Sequence, residues 1–325
     1  MRRRDFIALL GGAVVEVAAG GQVLPSEHIR RVGVLIALEA NDPEGQSEVK
    51  ALKEAFQKLG WIDGRNLQLE IRWSGGEPSR IQASAKELVT IPCDVIVARS
   101  TPATAALMKE TQTIPIVFAY VADPIGSGFV QSFPRPGGNA TGFQTYEFTL
   151  AGKWLQLLLQ VVPPLHPVGL IYNPATAPPG FLHAMETLPI PPSVQLTRVP
   201  VHNTAEIDTG IADFVREPNG GLVVMPDTFN DAMHEQIVEL SAKYRLPAIY
   251  THRFDDGLMC YDPDLSDVLG RTASYVDRIL KGEKPGDLPV QAPTKYNLII
   301  NLSIAEVLGL KIPPDLLATA DEVLY

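Results

Sequence analysis

The sequence predicts an α/β protein of two similar lobes, each a doubly wound parallel sheet, joined by a hinge of three chain segments. First, short apolar stretches recur in the same order about 130 residues apart, such as 32–36 (VGVLI) with 168–172 (VGLIY). Second, strands alternate with helices, which is typical of parallel sheets covered on both faces. Third, 325 residues is a natural length for two domains. Two similar lobes create a cleft between them, where small ligands bind.

Apolar periodicity predicts the elements of the first lobe. A helix is expected at 48–59 because Leu52, Phe56 and Leu59 fall on one helical face. A half-exposed strand is expected at 67–73, where Leu69 and Ile71 alternate with polar residues. The same patterns predict the other elements, which are a strand at 31–38, a helix at 78–89, a strand around Val95, a helix at 102–110 and a strand around Ile116.

The second lobe is predicted to repeat this alternation with one difference. Prolines bracket residues 181–188 and leave room for only about two helical turns, where the first lobe has a long helix. The predicted elements are a helix at 150–161, a strand at 168–172, the short helix, a helix at 208–214, a strand at Leu222, a helix at 231–244 and a strand at Ala248. Beyond the repeat come a helix at 266–280, a strand at 296–302 and a helix at 304–309.

These elements predict a division of the chain. Residues 1–28 form an export signal or a disordered tail, 29–145 with 258–285 form lobe one, and 146–257 with 286–325 form lobe two. The chain must then pass between the lobes three times, and we expect hinge bending near 120–145, 250–258 and 284–291.

The N-terminus has the layout of an export signal. A charged start is followed by an apolar run at 8–19, and small residues at 17–19 fit a cleavage site. Arg3, Arg4 and Phe6 also resemble a twin-arginine signal. Glu16 interrupts the apolar run, which is too short to span a bilayer. We therefore expect a periplasmic protein, and a disordered tail is the alternative.

Composition and charge exclude several partners. The net charge is −10 and no basic block is present, which disfavours nucleic acid and anionic membrane surfaces. Cys93 and Cys260 lie in no CxxC motif, and the six histidines are scattered, so neither a metal nor another cofactor is expected. We expect a monomer that binds a small molecule.

Catalytic motifs are absent from the sequence, which contains no GxSxG, HExxH, GxxxxGK[ST] or GxGxxG after a strand. An export signal with a two-lobed cleft therefore predicts a binding protein and not an enzyme. Two alternatives stay open. One is a racemase-like or hydrolase-like enzyme that uses Asp123, Asp227 or Cys260 in the cleft, and the other is a ligand-sensing domain.

Polar side chains follow the predicted strands, at the sheet edge where ligands bind in parallel sheets. Ser100 and Thr101 at a helix start suit a carboxylate, and Asp123 or Asp227 suits an ammonium. Taken singly, Ser100, Thr101 and Asp227 are equally well explained as helix N-caps. Their clustering predicts a binding site that also includes aromatic rings for stacking. Its predicted members are Ser100, Thr101, Thr104, Tyr120, Asp123, Asn173, Asp227, Thr228, Tyr250 and Tyr261.

Eight segments spread over nearly the whole chain carry a family resemblance. They are 1–12 (MRRRDFIALLGG), 59–66 (LGWIDGRN), 114–118 (IPIVF), 122–124 (ADP) with Gly128, 135–142 (RPGGNATG), 278–285 (RILKGEKP), 293–296 (PTKY) and 299–302 (IINL). In these the chain resembles periplasmic substrate-binding proteins of ABC transporters, in the tryptophan/tyrosine-type transport component family. The resemblance implies a type I periplasmic-binding-protein fold, hinged lobes, a small polar or amino-acid-like ligand, and delivery of that ligand to an ABC permease in the membrane.

The chain departs from the family pattern near the expected cleft. Arg99 stands where the family commonly has glycine, and it adds a positive charge. Where the family often has Met-Ser-Tyr-Gly, this chain has Met259, Cys260, Tyr261 and Asp262. Each change lies near the expected cleft and therefore bears on which ligand the cleft binds.

Overall fold

The first part of the chain forms one parallel sheet with helices on both faces. The structure, a computed structural model, describes residues 29–162, 167–216 and 218–325. The elements of this part are β1 (Arg30–Ile36), α1 (Pro43–Lys58), β2 (Leu67–Trp73), α2 (Pro78–Thr90), β3 (Val95–Arg99), α3 (Thr101–Glu110), β4 (Ile116–Val121) and β5 (Ala140–Gln144). The five strands are all parallel, in the order β2-β1-β3-β4-β5.

The second part repeats the alternation. Its elements are α4 (Leu150–Val161), β6 (Pro167–Tyr172), α5 (Pro179–Glu186), β7 (Gln195–Pro200), α6 (Thr204–Phe214), β8 (Gly221–Val224), α7 (Thr228–Ala232), α8 (His234–Lys243) and β9 (Ala248–Tyr250). Helix α5 has 8 residues, which confirms that the surrounding prolines permit about two turns.

The C-terminal part contributes to both lobes. It contains β10 (Met259–Pro263), α9 (Leu265–Leu280), a 3-10 turn (Pro285–Asp287), β11 (Tyr296–Asn301), α10 (Leu302–Val307), α11 (Pro314–Leu317) and β12 (Glu322–Leu324). The second sheet has the order β12-β11-β10-β9-β8-β6-β7. Strands β10 and β11 are antiparallel, and the other neighbours are parallel. The predicted fold of two α/β lobes is thereby confirmed.

The lobe boundaries differ from the predicted ones at two places. Residues 258–263 were expected in lobe one, yet β10 pairs with β9 and β11 of the second sheet. Residues 286–291 were expected in lobe two, yet Leu288 and Val290 are buried in lobe one, and the Thr141 hydroxyl donates to the Leu288 carbonyl at 2.6 Å. A short apolar stretch does not specify which sheet it joins, because pairing depends on the whole fold. By sheet membership and packing we assign 30–144 with 265–291 to lobe one and 150–263 with 292–325 to lobe two.

Each sheet is covered on both faces by apolar helix surfaces. In lobe one, α1 and α9 pack on one face, while α2 and α3 pack on the other. In lobe two, α4 and α5 cover one face and α6 and α8 cover the other. Trp154 of α4 is fully buried, and its indole N–H donates to the Tyr261 carbonyl at 2.9 Å. These layers fix the positions of the carboxyl ends of the strands in each lobe.

Two further points concern the membrane, namely the predicted export signal and the ability of any helix to span a bilayer. The export signal predicted at 1–28 lies outside the residues that the structure describes. Within the described residues, no helix has the length and apolar character needed to cross a membrane.

Candidate functional site

A cavity of about 640 Å³ lies between the two lobes. One wall consists of the residues that follow β3 and β4, and the other consists of residues that follow β5, β6, β8 and β9. This is the sheet edge at which ligands bind in parallel α/β folds. Its volume falls within the roughly 300–1,000 Å³ typical of small-molecule sites.

Six of the ten predicted site residues line this cavity. They are Ser100, Thr101, Tyr120 and Asp123 in lobe one, with Asp227 and Thr228 in lobe two. Residues that follow different strands therefore line one cavity, and their role in ligand binding stays a prediction.

Thr104 and Asn173 lie just outside the cavity wall. Thr104 is fully buried one turn into α3, and its hydroxyl donates to the Ser100 carbonyl at 2.8 Å. Asn173 is buried, and its side-chain oxygen accepts from the Ala175 N–H at 2.9 Å. Both side chains satisfy local backbone groups, which is the usual use of Thr and Asn beside turns and helix starts.

Tyr250 and Tyr261 also lie away from the cavity. Tyr250 is 2% exposed and packs edge-to-face on Phe254 within lobe two. The ring of Tyr261 stacks on Tyr296, with 5.5 Å between centroids. Neighbouring strand residues point to opposite faces of a sheet, so proximity to a strand end did not determine where these rings point.

The start of α3 offers hydrogen-bond donors to the cavity. Ser100 is the N-cap, with its hydroxyl accepting from the Ala103 N–H at 3.4 Å, and Pro102 lies in the first turn. The Thr101 hydroxyl accepts from the Ala122 N–H, also at 3.4 Å. Both hydroxyl protons remain available to a ligand. A helix N-terminus with free hydroxyls attracts anionic groups such as a carboxylate.

Two of the four non-glycine residues with positive φ among the described residues lie on the same wall. Ser100 has φ 101° and Tyr120 has φ 59°, both in the left-handed region. Such conformations cost roughly 1–3 kcal/mol each in a non-glycine residue, and they cluster at functional sites. The Tyr120 hydroxyl is also buried with no hydrogen-bond partner among the described residues.

The carboxylate of Asp227 forms hydrogen bonds within the protein. One of its oxygens accepts from the Asn173 N–H at 2.6 Å, and the other accepts from the Phe229 N–H at 2.9 Å and from the Thr176 hydroxyl. The residue is only 4% exposed. Protein donors therefore occupy three of its roughly four lone-pair sites, which favours the N-cap interpretation over ammonium binding.

Asp231 lies one helical turn later and is free. It lines the cavity, and its carboxylate has no hydrogen bond or ion pair with any residue that the structure describes. The side chain is exposed to water in the cavity, yet the burial of its surroundings raises its pKa to about 6. An unpaired carboxylate in a cavity is suited to an ammonium group.

Asp123 and Thr228 complete the polar lining. Asp123 accepts from the Gly126 N–H at 2.8 Å through one oxygen, as in the turn that the sequence suggested, and its second oxygen has no partner among the described residues. Thr228 is exposed at the start of α7.

A chain of ionisable side chains in mutual contact lies beside the cavity. The Arg99 guanidinium contacts Glu48 at 2.8 Å and Glu44 at 2.7 Å. His252 Nε2 lies 3.5 Å from the same Glu44 oxygen, and its Nδ1 lies 3.7 Å from Asp262. The charge that Arg99 adds is therefore compensated by two glutamates and is not free to hold an anionic ligand.

The pKa values follow from this arrangement. Burial would raise the pKa of Glu44, but the hydrogen bond from His252 and the charges of His252 and Arg99 lower it to about 2. Burial would lower the pKa of His252, but Glu44, Asp262 and Asp231 raise it to about 10. Burial raises the pKa of Asp262 to about 7, although His252 opposes this. His252 is therefore a cation at neutral pH.

Sequence reasoning missed several groups at the site. Asp231 is the most important of them, and its spacing of four residues from Asp227 placed both on one helical face. His252 lies two residues after β9, and the strand-end pattern included it, but it was not among the predicted members of the site. The partnership of Arg99 with Glu44 and Glu48 joins residues about 50 apart, and no local pattern signals it.

The described residues offer little to catalysis or metal binding. Cys260 is 2% exposed within β10, outside the cavity wall, and burial raises the pKa of its thiol well above the usual range. Across 29–162, 167–216 and 218–325, no cluster of three His, Cys, Asp or Glu side chains has an arrangement that could hold a metal ion.

Comparison with known proteins agrees with this geometry. Residues 31–324 match the family described as ABC transporter substrate binding protein. A relative, the tyrosine-binding protein of Clostridioides difficile (strain R20291), is 22% identical over 290 residues, which cover 88% of this chain and 83% of that protein.

Two solved structures are similar in fold. One is an ABC domain in complex with L-Trp from Streptococcus pneumonia, and the other is a conserved domain protein from Vibrio cholerae. Each has a TM-score of 0.79 and 24% identity, covering 91% of this chain and 99% of the other.

Proposed function

Because this chain belongs to the family of ABC transporter substrate-binding proteins, we propose that its cleft captures an α-amino acid with an aromatic or other large apolar side chain. The protein is the solute-binding component of an ABC import system and not an enzyme. A membrane permease is its partner, to which the bound solute passes.

The observation that carries the proposal is the contrast between the two cavity walls. Lobe one offers the hydroxyls of Ser100 and Thr101 and the N-terminus of α3, which suit a carboxylate. Lobe two offers the unpaired carboxylate of Asp231, which suits an ammonium. An α-amino acid carries both groups on one carbon, so a single ligand can satisfy both walls when the lobes close over it.

The remaining surface suits an apolar or aromatic side chain. Tyr120, Tyr146, Pro102 and Pro178 line the cavity. Aromatic rings stack on such surfaces. The names of the tyrosine-binding relative and of the L-Trp complex agree with a ring-bearing ligand.

The test is calorimetric titration with L-tyrosine, L-tryptophan and two truncated analogues of tyrosine. Tyramine lacks the carboxylate, and 3-(4-hydroxyphenyl)propionate lacks the ammonium. We expect an aromatic amino acid to bind and both analogues to bind at least about tenfold more weakly, because each leaves one wall unpaired. Equal affinity for tyramine and tyrosine would refute the assigned role of α3.

We further propose that the protein is periplasmic and is exported by the twin-arginine signal at its N-terminus. Membership of an extracytoplasmic family supports this location. Replacing Arg3 and Arg4 by lysine should stop export while leaving expression unchanged, which fractionation of the native host can measure. Normal export of that variant would exclude the twin-arginine route.

A further inference from the structure

The lobes are connected by an ion pair as well as by the chain. Glu44 lies in the first turn of α1 in lobe one, and His252 follows β9 in lobe two. Their charged atoms are 3.5 Å apart. Among the ion pairs of the described residues, only the pair of Glu44 with His252 has its two partners in different lobes.

We propose that His252 is a positioning residue that holds lobe two against Glu44 of lobe one, so that both cavity walls reach the same ligand. Its effect on ligand affinity rests on the proposed function, whereas its effect on lobe spacing does not.

The lobe-one end of this contact is held firmly. Glu44 accepts from Arg99 at 2.7 Å, and Arg99 is backed by Glu48, whose side chain is only 4% exposed. The Arg99 guanidinium also lies over the Tyr120 ring, 5.1 Å from its centroid. Glu44 therefore presents its carboxylate in a fixed position, which limits the entropy lost when His252 pairs with it.

The lobe-two end is held as well. The His252 ring has Asp262 at 3.7 Å on its Nδ1 side and Phe254 against it, with 5.5 Å between the ring centroids. The hydroxyl of the preceding residue, Thr251, donates to the Val224 carbonyl at 3.1 Å, and the Thr251 backbone carbonyl accepts from the Tyr146 hydroxyl at 2.6 Å. The imidazole is thus fixed relative to the second sheet.

The charges around His252 favour its cationic form. Glu44 faces it from α1, Asp262 from β10 and Asp231 from α7. Arg99, which shares Glu44 with His252, is paired with Glu44 and Glu48. The side chain is 22% exposed, so the pair is partly shielded from water. Such a pair retains more of its strength than one on the open surface.

His252 and Asp231 line the same cavity, which connects lobe spacing with ligand capture. A protein whose competent conformation is only partly populated binds with an apparent affinity reduced by that fraction. The contact between His252 and Glu44 favours the conformation with the lobes close together before the ligand binds. It therefore raises the affinity without contacting the ligand's side chain.

The experiment uses the ligand-free protein. Small-angle X-ray scattering measures the radius of gyration, and hydrogen exchange measures amide protection at 42–46 and 251–257, in wild type, Glu44→Gln, His252→Gln and the double variant. We expect each single variant to show a larger radius and about fivefold or more faster exchange, the low end of typical coupling between sites. The double variant should be no worse than either single one, because both remove the same contact.

Two further variants serve as controls. Glu39→Gln removes an exposed ion pair with Arg80, 2.6 Å long, within lobe one and should leave scattering unchanged. His252→Lys keeps the positive charge and should keep a radius near that of wild type, which separates loss of the contact from general misfolding.

The proposal is overturned if Glu44→Gln and His252→Gln match wild type in both measurements, or if their effects add in the double variant. Since no ligand is present, this result is independent of whether L-tyrosine or L-tryptophan binds. If those amino acids fail to bind but the radius increases as expected, the proposed ligand is wrong and the role of His252 stands.

Discussion

The two lobes have the same alternation of strands and helices but differ at the edges that face each other. Lobe one presents hydroxyls, a helix N-terminus and an arginine already neutralised by two glutamates. Lobe two presents carboxylates on the short helix α7 and a cationic histidine. A duplicated scaffold thus provides two chemically different half-sites, and the difference lies in the loops after the strands.

The long helix α1 and the short helix α5 show the same divergence. Helix α1 has 16 residues and brings Glu44 to the lobe interface, whereas α5, at the equivalent position after β6, has 8 residues between prolines. Where α5 begins, Thr176, Ala177 and Pro178 line the cavity. The shortened helix α5 therefore leaves a loop at the cavity wall of lobe two. In lobe one the longer helix α1 occupies the equivalent position and contacts lobe two through Glu44.

Replacing Asp227 distinguishes protein stability from ligand binding within lobe two. Asp227→Ala should lower the free energy of unfolding by about 2–4 kcal/mol, because it leaves buried N–H groups of residues 173 and 229 without their acceptor. Denaturant titration measures this. Asn203→Ala removes the exposed N-cap of α6 and should cost only about 1 kcal/mol, which makes it the matched control. A loss of under 1 kcal/mol for Asp227→Ala would contradict the structural role.

The second prediction concerns the neighbouring aspartate. Asp231→Asn should weaken binding of L-tyrosine or L-tryptophan by about tenfold or more, since it removes the charge opposite the ammonium, and should leave unfolding unchanged. Calorimetric titration and a denaturant curve together measure both quantities. Asp213→Asn, at an exposed ion pair on the same lobe, should change neither. Unchanged affinity for Asp231→Asn would assign the ammonium role to Asp123, whose second carboxylate oxygen has no partner among the described residues.

Most of the fold could be predicted from the sequence because its signals are local. The apolar stripe of α4 and the alternation in β2 gave those elements with their observed bounds. Strands β5, β7, β10 and β12 were not predicted. In β5 glycine and threonine interrupt the apolar pattern, and in β10 an aspartate does. They form because neighbouring strands supply the hydrogen-bond partners, which is tertiary information.

The site was predicted in outline only. The strand-end rule found Ser100, Thr101 and Asp227, but it could not tell an occupied carboxylate from a free one. Asp227 is distinguished from Asp231 by donors that lie up to 54 residues away, such as the Asn173 N–H. The ion pair of Glu44 with His252 depends on how the two lobes meet, and no pattern within either lobe encodes that.

The third prediction concerns the pH dependence of ligand affinity, which depends on Asp231 in the wall of lobe two. The pKa of Asp231 is raised to about 6, so below that pH its carboxyl group becomes neutral and its attraction for an ammonium is lost. Affinity for the amino acid should therefore be constant above about pH 7 and fall by roughly tenfold by pH 5. Titrations at pH 5, 6, 7 and 8 measure this. In Asp231→Asn the same series should be flat, and an equal fall in that variant would assign the titration to another group, such as Asp262.

The fourth prediction concerns Thr101 of lobe one, whose replacement should weaken ligand binding only slightly. Thr101→Ala removes a hydroxyl proposed to donate to the ligand's carboxylate, but the N-terminus of α3 and Ser100 remain. Its existing hydrogen bond, from the Ala122 N–H at 3.4 Å, is long, so little stability depends on it. We expect affinity to fall about threefold, as for loss of one neutral hydrogen bond among several. Thr101→Ser keeps the hydroxyl and should bind as wild type does. If Thr101→Ala weakens the binding of L-tyrosine and tyramine equally, the hydroxyl does not contact the carboxylate, because tyramine has none.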